Sequence, residues 1–515
     1  MRQVFKDFVW GLSGEPQEML VENGRVVWRG APGVLENGLM SIPYAGNQHL
    51  GSVPPACALV GPQVRAISLG GRRLYPGMID CHCHILPSGL SLKELDLSDC
   101  KSHGEALDRI RDEHARLEPG KWLLAGGYNQ NNFPDSCHLT LAELDSISAV
   151  RPILIGHVSG HASIANSAAF KAAGIDAESS DPVGGTFCKD ASGRLNGLVL
   201  ENACEELSKA VPKPSLEEMV DAILLASEKM AEFGVTCASD MMTGYYDLAQ
   251  ELEAYWVASE RGACVRFRLF VQWSALLGPR AMPPEQLAGL SAKMDRDRCR
   301  IAGVKIFADG ALSSRTAAIH GAFAGSEPEH GDWSGHLIYK KERLREMVLK
   351  AEEAGYLAAV HSLGDYATDV MLDILEEIGP SRHRLEHTML LSDRQIERLA
   401  RLRIACTLQP EFLLRLGEAY RRNLGSERAS RLNRFRSLKQ AGVPFGFSSD
   451  RPVVPGNPWD GIRSAVNRPE GFDPAENLEE RAAIEAYTAG AADANDDRGV
   501  VGRLAPGEWA DFCLR

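Results

Sequence analysis

Apolar residues along this chain follow two rhythms. Near the N-terminus, Glu18-Met-Leu-Val-Glu-Asn-Gly-Arg-Val-Val-Trp-Arg-Gly30 places two β-prone runs on either side of Asn23-Gly24. Asn-Gly tolerates the positive φ angles of a type I′ turn, so the segment predicts a hairpin. Residues 31 to 62 are rich in Gly, Pro and Asn and lack a helical period, which predicts loop or irregular sheet. Val64-Arg-Ala-Ile-Ser-Leu69 and Leu74-Tyr-Pro-Gly-Met-Ile79 add further β-prone stretches. The chain therefore begins with a small β unit.

From about Gly77 the rhythm changes. Short apolar runs at 152–155, 264–271, 302–307, 357–360, 403–407 and 443–447 alternate with amphipathic stretches, among them 215–233, 341–354, 366–378 and 393–402. Alternation of β and α signals predicts a parallel sheet, and at this length a barrel. The stretch from 95 to 212 is too long for one connection and predicts an inserted subdomain. Ala510-Asp-Phe-Cys-Leu514 reads as a last strand returning to the N-terminal unit. The expected fold is thus an α/β (β/α)8 TIM-like barrel over 76–479. A small β-sandwich domain built from 1–75 and 480–515 would accompany it.

Composition narrows the function classes. The chain has 515 residues, 44% apolar and 24% charged, with a net charge of −13. Interspersed charges of net negative sign argue against a nucleic-acid partner, which needs a basic face. No stretch approaches the ~20 apolar residues of a membrane span, and the N-terminus lacks the pattern of a secretory signal. Twelve cysteines without repeated spacing read as reduced thiols, which makes a cytoplasmic location the expectation.

The chemistry concentrates in Gly77-Met-Ile-Asp-Cys-His-Cys-His84. On a strand, residues two apart face the same side, so His82 and His84 can share one metal ion. Cys81 and Cys83 then face away, toward packing. Lys305 lies inside the apolar run 303–307. There it requires a carboxylate, a metal site or covalent modification, because a buried unpaired ammonium is costly. His361, His387 and Asp450 each close an apolar run. Taken singly, each reads as a satisfied core residue; the order His-x-His, Lys, His, His, Asp is what carries information.

The segments around these residues are Pro76-Gly-Met-Ile-Asp-Cys-His-Cys-His84, Val304-Lys-Ile-Phe-Ala-Asp-Gly-Ala-Leu-Ser-Ser-Arg-Thr316, His361-Ser-Leu-Gly-Asp365, Arg384-Leu-Glu-His387 and Ser448-Ser-Asp450. With Ser159-Gly-His-Ala-Ser-Ile-Ala-Asn-Ser167, Pro182-Val-Gly-Gly185, Asn196-Gly197 and Pro506-Gly-Glu-Trp-Ala-Asp511, the chain resembles the amidohydrolase superfamily. The closer resemblance is to the branch of the N-substituted formamide deformylases, and it runs from about residue 18 to the end. Three features depart from that branch: a longer connection at 31–62, Gly127-Tyr-Asn129 in place of Gly-Trp-Asp, and an end directly after the closing motif, which predicts a short last strand.

The resemblance implies two divalent metal ions, zinc being the expected element. His82 and His84 would bind one ion and His361 and His387 the other. Lys305, N-carboxylated, would bridge them, and Asp450 would complete the first site. A metal-held hydroxide would attack the carbonyl, with Asp450 carrying its proton to the leaving amine. His161, Asn166, Tyr128, Asp309 and Arg315 are the candidate substrate-binding residues. The implied substrate is a small non-peptide amide, an N-formyl or N-acyl amine. A cyclic amide, an ester or lactone, or a deamination is the alternative, although deaminases of this superfamily usually lack the lysine. A non-catalytic scaffold is the alternative of another class, and such relatives usually lose ligands. Analogy with relatives also points to a homodimer.

Overall fold

The computed structural model describes residues 2–33, 64–158, 160, 162–182, 185–325 and 333–515. The chain divides into two compact units. One comprises Met1–Ser88 and Met219–Arg515, the other Gly89–Glu218. The inserted segment predicted at 95–212 falls within the second.

The first unit opens with β1 (Arg2–Trp10), β2 (Pro16–Glu22), β3 (Arg25–Gly30), β4 (Val64–Ser68) and β5 (Arg73–Pro76). Asn23 and Gly24 have φ of 50° and 78°, so the β2–β3 hairpin turns as its Asn-Gly pair predicts. β1 pairs antiparallel with β2 on one edge; on the other it pairs parallel with β4 and then β5. One face buries Phe5, Phe8, Trp10, Met19, Val21 and Leu74. Much of the connection at 31–62 lies outside the described residues.

The barrel strands are β6 (Met78–Cys83), β13 (Val235–Thr243), β14 (Arg266–Gln272), β15 (Cys299–Phe307), β16 (Leu357–Ser362), β17 (Arg384–His387), β18 (Ala405–Leu408) and β19 (Phe445–Phe447). They form an eight-stranded sheet in the order β19-β18-β17-β16-β15-β14-β13-β6. All seven pairings are parallel. β19 approaches β6 just past its end, where Asp450 N–H donates to the His82 carbonyl at 2.7 Å and His84 N–H to the Arg451 carbonyl at 2.8 Å. Helices Leu216–Glu232, Lys341–Glu353, Asp365–Ile378 and Asp393–Leu402 coincide closely with the predicted amphipathic stretches. Strands buried on both faces explain continuous runs such as Leu-Ala-Ala-Val at 357–360.

At the C-terminus, helices Glu480–Ala486 and Ala489–Ala494 pack on β19, and the second also on β6. Barrel structure therefore extends past 479 to about residue 494. β20 (Phe512–Leu514) then pairs antiparallel with β5, so both chain ends meet in one sheet. The sequence predicts a β-sandwich there; the described residues form a single six-stranded sheet.

The second unit carries its own sheet of β7 (Leu95–Asp96), β8 (Leu123–Tyr128), β9 (Ile153–His157), β10 (Ala162–Ala165), β11 (Gly185–Lys189) and β12 (Leu195–Glu201). The apolar run at 152–155 belongs to this sheet, as β9, and not to the barrel. Among the described residues, no helix is long and apolar enough to cross a membrane.

Candidate metal centre

Every residue of β6 is buried, and its alternation sorts them by role. Cys81 packs with Ile79, Cys237, Ala491, Ala492 and Val501. Burial pushes its thiol well above the ordinary range, and its Sγ donates to the Phe447 carbonyl at 3.1 Å, so its side chain is engaged in packing, on the side where the alternation puts it. On the other side, Asp80 accepts from the Ser449 hydroxyl at 2.5 Å and the Ser449 N–H at 3.0 Å, tying β6 to the segment after β19. His82 and His84 follow on Asp80's side of the strand.

The partners of three histidines define which ring nitrogen is free. His82 Nδ1 lies 2.5 Å from a Glu386 carboxylate oxygen, His361 Nε2 lies 3.0 Å from the Gly310 carbonyl, and His387 Nδ1 lies 2.8 Å from Gln409 Oε1. All three partners accept, so those nitrogens donate. His82 Nε2, His361 Nδ1 and His387 Nε2 keep their lone pairs. Burial is the main cause that lowers all three imidazoles below their ordinary pKa, which favours the neutral form a metal ligand must have. The ring centroids of His82 and His387 are 4.6 Å apart, and those of His361 and His387 are 4.5 Å apart.

Asp450 is the acidic member. Its Oδ1 lies 2.9 Å from His84 Nε2 and 3.4 Å from His82 Nε2. The His84 contact acts on the carboxyl much as a hydrogen bond would, but it falls outside hydrogen-bond geometry, and among the described residues this buried oxygen has no other donor. Burial alone would raise its pKa, but the adjacent His82, His84 and His387 outweigh burial and hold the carboxyl far below the usual range. Asp450 and His387 have φ of 59° and 71°. Non-glycine residues enter this region at a cost of order 1–3 kcal/mol, and here two site side chains need that backbone.

Lys305, 1% exposed, comes from β15. Its Nζ lies 3.3 Å from His82 Nε2 and forms no ion pair among the described residues. Burial lowers its pKa to about 8. Ligand atoms of His82, His387 and Asp450 all lie within 4.8 Å of one another. His84 joins this group through Asp450, Lys305 through His82, and His361 through His387. An orphaned carboxylate oxygen facing imidazole lone pairs is the nitrogen and oxygen donor set of a zinc-type site, and the residues present fit a divalent cation.

The other candidates occupy different settings. Asp309 is buried and accepts from the N–H groups of Leu363, Gly364 and Ala318, with His361 Nε2 3.8 Å away. It positions the turn that follows β16. Arg315 donates to Asn423 Oδ1 at 3.1 Å. Tyr128 and Asn166 belong to the second unit. The Tyr128 hydroxyl accepts from the Leu139 N–H at 2.9 Å. The Asn166 amide accepts from Ile153 and Ala169 and donates to the carbonyls of Ser148 and Arg151, which occupies all its hydrogen-bonding positions. His161 lies outside the described residues.

Three residues that hold the site were not singled out from the sequence: Glu386, Gln409 and Asp80. Glu386 also accepts from Arg384 Nε at 2.6 Å and from the Thr407 hydroxyl. The buried Arg384 guanidinium bonds further to Asn495 Oδ1 and to the carbonyls of Ala494 and Cys81. The only available signal was the Arg-x-Glu alternation just before His387, which puts both charges on one side of β17.

Comparison with known proteins gives the family of the chain. The profile of the amidohydrolase family matches residues 65–514. YtcJ of Bacillus subtilis (strain 168), a protein named as an amidohydrolase, is 33% identical over 467 residues, covering 88% of this chain and 85% of the relative. The N-substituted formamide deformylase of Arthrobacter pascens is 27% identical, covering 88% and 85%. A crystal structure of an uncharacterized metal-dependent hydrolase from Pyrococcus furiosus superimposes with a TM-score of 0.80 at 25% identity, over 100% of this chain and 98% of that one. Since the family match spans the barrel, its inserted unit and the closing strand alike, the chain belongs to the amidohydrolase family.

Proposed function

We propose that this chain hydrolyses a carbon–nitrogen bond of a small non-peptide amide, an N-formyl or N-acyl amine. The observation that carries the reading is the Asp450 Oδ1 atom, buried, without a donor and facing His82 and His84. His82, His84 and Asp450 would hold one divalent ion, and His361 and His387 a second, with zinc suited to these donors. Bound cations supply two things, a lowered pKa for water and polarisation of the scissile carbonyl.

The chain's own residues do the rest. Addition of CO2 to the neutral amine of Lys305 forms an N–C bond and releases one proton. The resulting carbamate offers two oxygens and one negative charge, where an amine offers none. Asp450 takes the proton of the attacking water on its carboxylate and passes it to the leaving nitrogen, which departs as an amine and not as an amide anion. Glu386, Gln409 and the Gly310 carbonyl fix the imidazole tautomers throughout. The name of the Arthrobacter pascens relative supports an N-formyl substrate class.

The test is a panel of formamides, acylated amines, cyclic imides and lactones, assayed with zinc and bicarbonate. Turnover of a linear formamide or acyl amine supports the reading. Turnover confined to cyclic imides or lactones would replace it.

A further inference from the structure

The barrel base, at the strand ends away from the metal ligands, contains a cavity of about 570 Å³. Its walls come from the ends of β1 and β3, the end of β5, the start of β19 and the helices that follow. Apolar surface is contributed by Trp10, Pro76, Val443 and Phe445. Among the described residues four cations also line it, two of them with carboxylate partners: Arg481 pairs with Glu485 at 2.9 Å and Arg503 with Asp493 at 2.7 Å.

Among the described residues, the other two lack such partners. Arg29 lies over the Trp10 ring at 3.5 Å, and one of its terminal nitrogens is buried with no hydrogen-bond acceptor. Glu508 is the carboxylate that acts on Arg29 from nearby, but it is buried and already accepts from the Arg503 and Ala505 N–H groups. Arg503 likewise has one buried terminal nitrogen without an acceptor. Lys439 forms no ion pair among the described residues. Buried guanidinium nitrogens are almost always satisfied, because leaving one dry and unpaired is costly. Burial even lowers the Arg29 pKa to about 10. The volume suits a small ligand, and an apolar wall with convergent charge is how such sites are built.

We propose that this cavity is a second ligand site. It takes a small organic anion whose carboxylate or phosphate group meets Arg29, Arg503 and Lys439 while its apolar body lies against Trp10 and Phe445. None of these residues belongs to the metal centre, so binding here does not depend on metal. An occupant would bridge the terminal sheet and the barrel helices.

The experiment is calorimetric titration of the full chain with benzoate and with phenyl phosphate. Benzyl alcohol and benzylamine serve as neutral and cationic controls, and each titration is run on zinc-loaded and chelator-treated protein. The expected result is saturable binding of one anion per chain in both metal states, with no binding of the controls. The tighter of the two anions identifies the head group. Arg29→Met should weaken binding about tenfold or more, since hydrogen bonds to charged groups are lost. Arg29 also packs on Trp10, so Lys439→Met, at an exposed position, provides an independent variant and should weaken binding several-fold. Three results would overturn the proposal: no saturable binding by chelator-treated protein, binding that needs zinc, or binding unchanged by Lys439→Met and by any folded Arg29→Met protein.

Discussion

Glu386 accepts three hydrogen bonds inside the barrel, and Glu386→Gln replaces one of its two acceptor oxygens with a donor. Arg384 is fully buried and charged, so the remaining oxygen should turn toward it. The new NH2 group then faces His82 Nδ1. That nitrogen must become an acceptor, which moves the ring proton to Nε2 and removes the lone pair aimed at the metal. Partners of metal-bound histidines are typically worth 10- to 100-fold in metal affinity, or ~1.4–2.7 kcal/mol. Stability should also fall. Removing one member of a buried ion pair costs ~3–5 kcal/mol. Arg384 retains Asn495 Oδ1 and the carbonyls of Ala494 and Cys81, so a loss near the low end, ~3 kcal/mol, is expected. Zinc affinity measured by competition with a chromogenic chelator, beside urea unfolding of the same preparations, checks both parts. Parental zinc affinity in a folded Glu386→Gln protein would refute the tautomer argument.

Three further outcomes are expected. Lys305→Ala should lose metal and activity together, with partial recovery in short carboxylic acids; full metal content with normal turnover would make Lys305 an ordinary packed residue. Asp450→Asn keeps shape and one oxygen but cannot carry a proton, so turnover should fall ~10²–10⁴-fold while much metal is retained, measured by elemental analysis and rate on one preparation. Burial raises the Glu251 carboxyl to about 7, although it accepts from the N–H groups of Gly244, Tyr246 and Asp247. Its folded pKa lies above the unfolded value of ~4.3, so its contribution to stability is full below that value and is lost as pH rises through 7. The stability difference between the parent and Glu251→Gln, followed by urea unfolding, should therefore shrink between pH 5 and pH 8; a constant difference would refute it.

Much of the barrel is legible in the sequence because its elements are local. The stretch read as helical at 393–402 is a helix over the same residues, since a 3.6-residue period needs no distant partner to be visible. Val235–Thr243 was harder to see. It interrupts apolar residues with Thr236, Ser239 and Asp240, whose side chains are used inside the fold: Ser239 donates to Asn495, and Asp240 accepts from the Ile85 N–H. Among the described residues, the terminal strands join in one six-stranded sheet with β1 paired along both of its edges. That pairing is set by tertiary contacts and not by alternation.

The candidate metal centre divides in the same way. His82 and His84 were readable as a pair because two residues on one strand face one side whatever surrounds them. The order of Lys305, His361, His387 and Asp450 was readable because each ends an apolar run. Their tautomers and the orphaned state of Asp450 Oδ1 were not. His82 is set by Glu386, 304 residues away, and Asp80 is held by Ser449, 369 residues away. A hydrogen bond acts over about 3 Å, so chain separation says nothing about which acceptor will fill that space. The sequence by itself determined which side chains could reach a metal; only the closing of the barrel decided which of their lone pairs remain free to do so.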